Sequence, residues 1–272
     1  MINSKNQNIP FPMVEYPIER SKKPRATGIT MMMDWGLTQH RAEDAMTLLA
    51  PYIDLVKIVV GTARLYPRDY LSTKLNTYKA NNVKPFLGGQ FSEYVFATKG
   101  WEGMTPFFDE AKAIGFDALE ISDNCIPLTD EERTRMIQTA IDSGMEVHGE
   151  VGSKVEMQSS EKLIKQANIC LEAGADLVLV EGAELIKDGS PYESFIKELK
   201  AGMDLKATLF ELTGPWIKDI TLSDVHQLKR FLIDQFGPDV NLANVMPDDA
   251  LETEALRCGL SVTGPGVTSN NI

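Results

Sequence analysis

Ala173-Gly-Ala-Asp-Leu-Val-Leu-Val-Glu181 decides the fold. Gly174 stops a helix, an aspartate leads in, four apolar residues make a short buried strand, and a carboxylate closes it. The lead-in recurs as Ile53-Asp54-Leu55-Val56 and Phe116-Asp117-Ala118-Leu119. A unit that repeats as strand, helix, strand is the mark of parallel βαβ construction.

Working outward, eight such runs can be read: Gly28–Asp34, Leu55–Val60, Lys84–Gly89, Ala118–Ser122, Glu146–Val151, Leu177–Glu181, Ala207–Leu212 and Val240–Val245. Helix signals lie between them. Thr105-Pro106 opens a segment that Gly115 closes, and Thr129 with Glu132 forms a capping box for a helix ending near Gly144. A further helix runs from Ser223 to Phe236 and stops at Gly237. An open doubly wound sheet would carry G-x-G-x-x-G after its first strand, and none is present. The chain has 272 residues, which suits one barrel of ~250 residues. We therefore expect an α/β (β/α)₈ TIM barrel over 28–272, preceded by an extended arm over 1–27 in which Pro10, Pro12, Pro17 and Pro24 discourage regular structure.

Composition narrows the function. Acidic residues number 39 against 27 basic, a net charge of -12, which disfavours nucleic acid and anionic membranes as partners. Cys125, Cys170 and Cys258 form no CxxC pair, so reduced thiols and a cytoplasmic location are expected. No apolar run reaches the ~20 residues of a membrane span, and Met1–Arg25 has no h-region of a signal peptide. The expected partner is a small anionic substrate, and the working form a homo-oligomer.

Side chains alternate along a strand between barrel axis and helix layer. In Leu177–Glu181 the parity groups Leu177, Leu179 and Glu181; in Glu146–Val151 it groups Glu146, His148 and Glu150. The inward set becomes Asp34, Lys57, Glu120, Glu150, Glu181, Glu211 and Asn241, mostly at strand C-termini, where barrel active sites sit. Like charges gathered there repel and are costly to bury alone. Lys57 and a divalent cation with oxygen ligands would offset them, and Mg²⁺ is expected on Glu120, Glu150, Glu181 and Glu211. Met31-Met32-Met33 and His148 read as core packing; Cys125 has no histidine nearby to make it a nucleophile.

The same strand ends carry a likeness. Tyr52-Ile-Asp-Leu-Val-Lys57, Gly61-Thr62, Gly88-Gly89, Glu120-Ile-Ser-Asp123, Glu150-Val-Gly152, Glu181-Gly182, Phe210-Glu211, Val240-Asn-Leu-Ala-Asn244 and Arg257-Cys-Gly-Leu260 resemble, in order, the motifs of the phosphosulfolactate synthase family. That resemblance implies a (β/α)₈ barrel and Mg²⁺-dependent addition of sulfite to phosphoenolpyruvate, in the route to coenzyme M. Sulfite attacks the methylene carbon, and the enediolate is then protonated at C2. The expected catalytic residues are Lys154, Lys57 and Glu150, with Lys154 as the proton donor and Lys57 binding. Asp34, Arg64, Glu120, Asn241 and Arg257 are expected to bind substrate.

Three departures from the family pattern are losses of positive charge. Asp34-Trp35-Gly36 stands for Asp-Lys-Gly, Ser153-Lys154 for a lysine pair, and Ala183 replaces an arginine. Leu212-Thr213-Gly214-Pro215-Trp216 follows Phe210-Glu211 where the family has Ala-Pro. An alternative is thus a divergent lyase acting on a less charged enol or enoyl carboxylate, which apolar residues at Ala183, Leu185 and Trp216 would favour. A non-catalytic homologue, like the family's plant heat-stress relatives, ranks last because the carboxylate ring is intact.

Overall fold

The computed structural model describes residues 10–154 and 156–261. Eight parallel strands close into a barrel: β1 Thr30–Asp34, β2 Leu55–Ile58, β3 Lys84–Leu87, β4 Ala118–Ile121, β5 Glu146–Val151, β6 Leu177–Val180, β7 Thr208–Glu211 and β8 Leu242–Val245. Neighbours in sequence are neighbours in space, and β1 pairs with β8 to close the ring. All eight expected strands are present. Their ends are shorter where a helix or turn takes over, as at Gly89, which already belongs to the helix after β3.

The helices are α1 Gln39–Leu49, α2 Arg68–Ala80, α3 Gly89–Lys99, α4 Met104–Ile114, α5 Asp130–Asp142, α6 Ser160–Glu172, α7 Glu193–Gly202, α8 Leu222–Phe236 and α9 Ala250–Arg257. Their ends follow the sequence signals. Thr129 and Glu132 make the capping box of α5, and Gly115 takes the left-handed conformation (φ 117°) that closes α4. Thr221 with Asp224 forms a second capping box, at the start of α8.

Two apolar layers follow from strand alternation. Met31, Met33, Leu55, Phe86, Ala118, Leu179, Leu209 and Ala243 fill the barrel interior. Met32, Val56, Ile58, Leu119, Val147, Val151, Val178, Val180 and Phe210 face the helices. His148 lies inside the barrel, edge-on to Phe86 at 4.9 Å between ring centroids. The methionine run is therefore split: its outer members fill the barrel and Met32 supports the helices.

Residues 10–27 form neither helix nor strand. They cross the floor of the barrel, the N-terminal end of the strands. Arg20 reaches Asp239 and Glu254, Lys23 donates to the carbonyls of Ala50 (3.0 Å) and Ile53 (2.5 Å), and Arg25 pairs with Asp54 at 3.0 Å. Among the described residues no helix is long and apolar enough to cross a membrane.

Candidate active site

At the opposite end, the C-terminal mouth, β2, β4, β5 and β7 aim charged side chains at one cavity of about 180 Å³. Lys57 projects from β2 over the edge of the interior core. Its Nζ lies 2.7 Å from Glu120 Oε2 and 2.7 Å from Glu211 Oε1. Lys154, on the loop after β5, lies 2.7 Å from Glu181 and 3.5 Å from Glu150. Glu150, Glu181 and Glu211 each offer a carboxylate oxygen, and these atoms fall within 4.8 Å of one another. All are buried. Three hard oxygen donors converging in a buried site suit Mg²⁺. Glu120 lines the same cavity but stands outside that trio, paired to Lys57 and accepting the Gly89 N–H at 2.8 Å.

The electrostatics follow from burial and count. Four carboxylates face two ammonium groups. Burial works against the charge on both lysines, yet the carboxylates outweigh it and raise both pKa values. Burial pushes Glu120 up to about 8 and Glu211 up to about 7; Lys57 opposes the rise and neighbouring carboxylates add to it. At Glu150 burial is overridden by Lys154 and Lys57, which hold it down to about 2. Without a further cation the cluster thus retains protons near neutral pH.

Side chains outside the cavity hold these groups in place. Asn124 Nδ2 donates to Glu150 at 2.7 Å. Asn124 belongs to a loop whose backbone N–H groups at 124, 125 and 126 all donate to the Glu93 carboxylate of α3. Glu184 does the same for the lysine loop, accepting from the N–H of Ser153 and of Gln158 at 2.9 Å each. Arg133 of α5, fully buried, donates to the Glu150 carbonyl at 3.0 Å. Sequence reasoning missed Glu93: an acidic residue on a helix reads as a solvated face. Glu184 follows the Glu181-Gly182 motif by two residues, but only folding shows that it binds a loop about thirty residues away.

Four expected site residues lie elsewhere. Asp34 does not face the axis. Met31 and Met33 do, so parity turns Asp34 toward the helices, where Lys74 (2.5 Å) and Tyr78 (2.6 Å) of α2 engage it. Arg64 is exposed. Val60 adopts φ 45°, turning the chain into a 3₁₀ segment, Val60–Leu65, that carries Arg64 to a separate outer cleft with Tyr66, Phe91 and Phe107. Asn241 sits at the floor, just before β8, and donates to the carbonyls of Leu205, Lys206 and Thr208. Arg257 is the last residue of α9, and helices run back toward the floor; its guanidinium donates to the carbonyls of Pro238 and Val240 at 2.6 Å each.

The asparagine that does line the cavity is Asn244. The β1–β8 register advances from Thr30↔Leu242 to Met32↔Val245, one residue more on β8, and Asn244 takes φ 60°. Simple alternation therefore fails there. Trp35 and Trp216 also line the cavity, as does the first turn of α3. Ala183 and Leu185 do not; Leu185 is packed in the outer core.

Comparison with known proteins agrees with this geometry. A family model described as (2R)-phospho-3-sulfolactate synthase (ComA) matches residues 18–263. The phosphosulfolactate synthase of Methanocaldococcus jannaschii is 33% identical over 244 residues, covering 86% of this chain and 92% of that protein. Protein HEAT-STRESS-ASSOCIATED 32 of Arabidopsis thaliana is 24% identical, covering 88% of each chain. Among solved structures, the YdjI aldolase from Escherichia coli K12 superposes with a TM-score of 0.54 at 10% identity, over 82% of this chain and 76% of that one, a likeness of fold alone. Matched over nearly all its length and closing as the expected barrel, this chain belongs to the phosphosulfolactate synthase family.

Proposed function

We propose that the chain is a Mg²⁺-dependent lyase that forms a carbon–sulfur bond, adding sulfite or a related sulfur nucleophile to an enol-type carboxylate. Phosphoenolpyruvate is the acceptor that the family resemblance implies. The observation that carries the reading is the meeting of three buried carboxylate oxygens within 4.8 Å beside the buried Lys57 and the partly exposed Lys154 at a barrel mouth. Glu150, Glu181 and Glu211 would hold the cation, which when bound supplies positive charge to offset that developing on the substrate carboxylate.

The remaining work falls to the chain's own residues. Lys57, pinned between Glu120 and Glu211, presents one fixed ammonium to the substrate carboxylate. Lys154 is the more exposed cation, on a loop with its side chain one-quarter accessible, and it can reach the reacting carbon from the rim. As the nucleophile bonds to the β-carbon, the π electron pair moves toward C2. Lys154 gives its proton there, completing the addition. Glu93 and Glu184 keep the two loops in register for this step.

The test is direct. Purified protein with Mg²⁺ and sulfite, offered phosphoenolpyruvate or a less charged enoyl carboxylate, should consume sulfite with at least one acceptor and yield a sulfonated product by mass spectrometry. Exhaustive chelation should stop it and added Mg²⁺ restore it. Turnover that survives chelation would refute the metal assignment. A second acceptor class, less charged than phosphoenolpyruvate, is favoured by the two tryptophans at the cavity wall.

A further inference from the structure

The cavity has two unlike sides. Charged groups come from β2, β4, β5 with its following loop, and β7, whereas the wall completed by the loops after β1 and β7 is aromatic. Trp35 and Trp216 meet there with ring centroids 5.7 Å apart and planes at 34°, and Met33 and Val59 extend the apolar face.

Both rings are held from behind. The buried Asp34 carboxylate accepts the N–H of Gly36 and of Leu37, each at 2.8 Å, so the turn that presents Trp35 is fixed by the same aspartate that Lys74 and Tyr78 engage. On the other loop, a Cβ at Gly214 would lie 2.2 Å from the Trp216 ring. The indole therefore rests directly on the glycine, and only a residue without a side chain allows it.

The cavity's cations stand on its charged side. Lys57 and Lys154, the two ammonium groups of the cavity lining, each already face two carboxylates. No arginine lines the cavity among the described residues, and Arg64 lies in the outer cleft. The tryptophan wall itself carries no cation, so a phosphate dianion placed against it would go unmatched, whereas a planar uncharged group would gain a stacking surface.

Resting on the lyase reading above, we infer that the acceptor is a carboxylate with a planar, uncharged, conjugated or aryl substituent, its carboxylate toward Lys57 and Lys154 and its flat face on Trp35 and Trp216. Asp34 and Gly214 are positioning residues for that wall.

Titration calorimetry of the full chain in saturating Mg²⁺ tests this with three probes: cinnamate, acrylate and phosphoenolpyruvate. Cinnamate should bind at least about tenfold tighter than acrylate, and phosphoenolpyruvate no tighter than acrylate. Trp35→Ala should collapse the cinnamate-to-acrylate ratio toward one, and Trp35→Phe should restore most of it. Gly214→Ala, which displaces Trp216 without altering either indole, should collapse it as well. Tighter binding of phosphoenolpyruvate than of cinnamate, or a ratio unmoved in Trp35→Ala and Gly214→Ala, overturns the inference. The lyase reading fails separately, through absence of sulfite consumption with all three acceptors; a persisting cinnamate preference would then still support the aromatic subsite.

Discussion

Floor and mouth of this barrel bury the same kinds of side chain and use them differently. At the floor, Arg257 and Asn241 donate to backbone carbonyls, and Asp54 accepts the Thr30 N–H at 2.9 Å and pairs with Arg25. Those partners are fixed by the fold, so the groups tie strand ends together. At the mouth, Lys57, Lys154, Glu120, Glu150, Glu181 and Glu211 are matched chiefly to one another. Such pairs can be exchanged for a substrate or a cation. Burial of charge alone does not mark a functional group; the nature of its partner does.

Mutations at the two ends should separate these roles, and the largest effect belongs to the mouth. Lys154→Met should lower kcat by about 10²–10⁴-fold with KM little changed, because a proton donor acts in the transition state. Its melting temperature should not fall in proportion. Steady-state kinetics beside thermal unfolding decides this, and unchanged turnover would shift the donor role to water or His148.

Arg257→Met is the counterpart at the floor. Two carbonyls would lose their buried donor, at a cost of roughly 2–4 kcal/mol in stability, while kcat per folded molecule stays at the wild-type value. Denaturant unfolding with an active-site titration checks both halves. A selective loss of substrate affinity would return Arg257 to the binding site.

A subtler difference lies on the axis between the two ends. Burial, then Lys84 and Lys57, push the His148 pKa down to about 3. The unfolded chain binds that proton near the ordinary 6.5, so this part of the stability is whole above 6.5 and is lost as pH falls toward 3. Wild type should lose roughly 2–3 kcal/mol from this group between pH 6.5 and 4.5, and His148→Leu should show a correspondingly flatter acid limb in urea midpoints. Equal slopes would contradict a neutral buried imidazole.

The smallest effect is expected at Glu93→Gln. An amide in place of the carboxylate sets a donor among N–H groups that need an acceptor, loosening the loop that holds Asn124 against Glu150. Mg²⁺ affinity should weaken by about threefold to tenfold, with substrate KM less affected. A loss of stability without any change in Mg²⁺ affinity would make Glu93 a purely structural group.

The sequence by itself determined the barrel and most of its charged mouth. Period-two alternation with carboxylates closing β4–β7 places Glu120, Glu150, Glu181 and Glu211 on one face, and caps such as Thr129–Glu132 and Gly115 mark where helices begin and end. Lys57 was legible for the same reason, as an isolated cation inside a strand. Tertiary structure decided what alternation and chain position cannot. Parity assigns a side chain to a face only once a neighbour's face is known, and packing chose Met31 and Met33 for the axis, sending Asp34 outward. A bulge with φ 60° brought Asn244 into the cavity against the count. Arg257 went to the floor because helices return antiparallel to the strands, so a helix's last residue ends far from the strand C-termini. The pairing of Trp35 with Trp216 needed closure itself: Thr30 of β1 and Thr208 of β7 lie 178 residues apart in sequence, and only the circular order, in which β8 alone stands between those strands, brings their loops together.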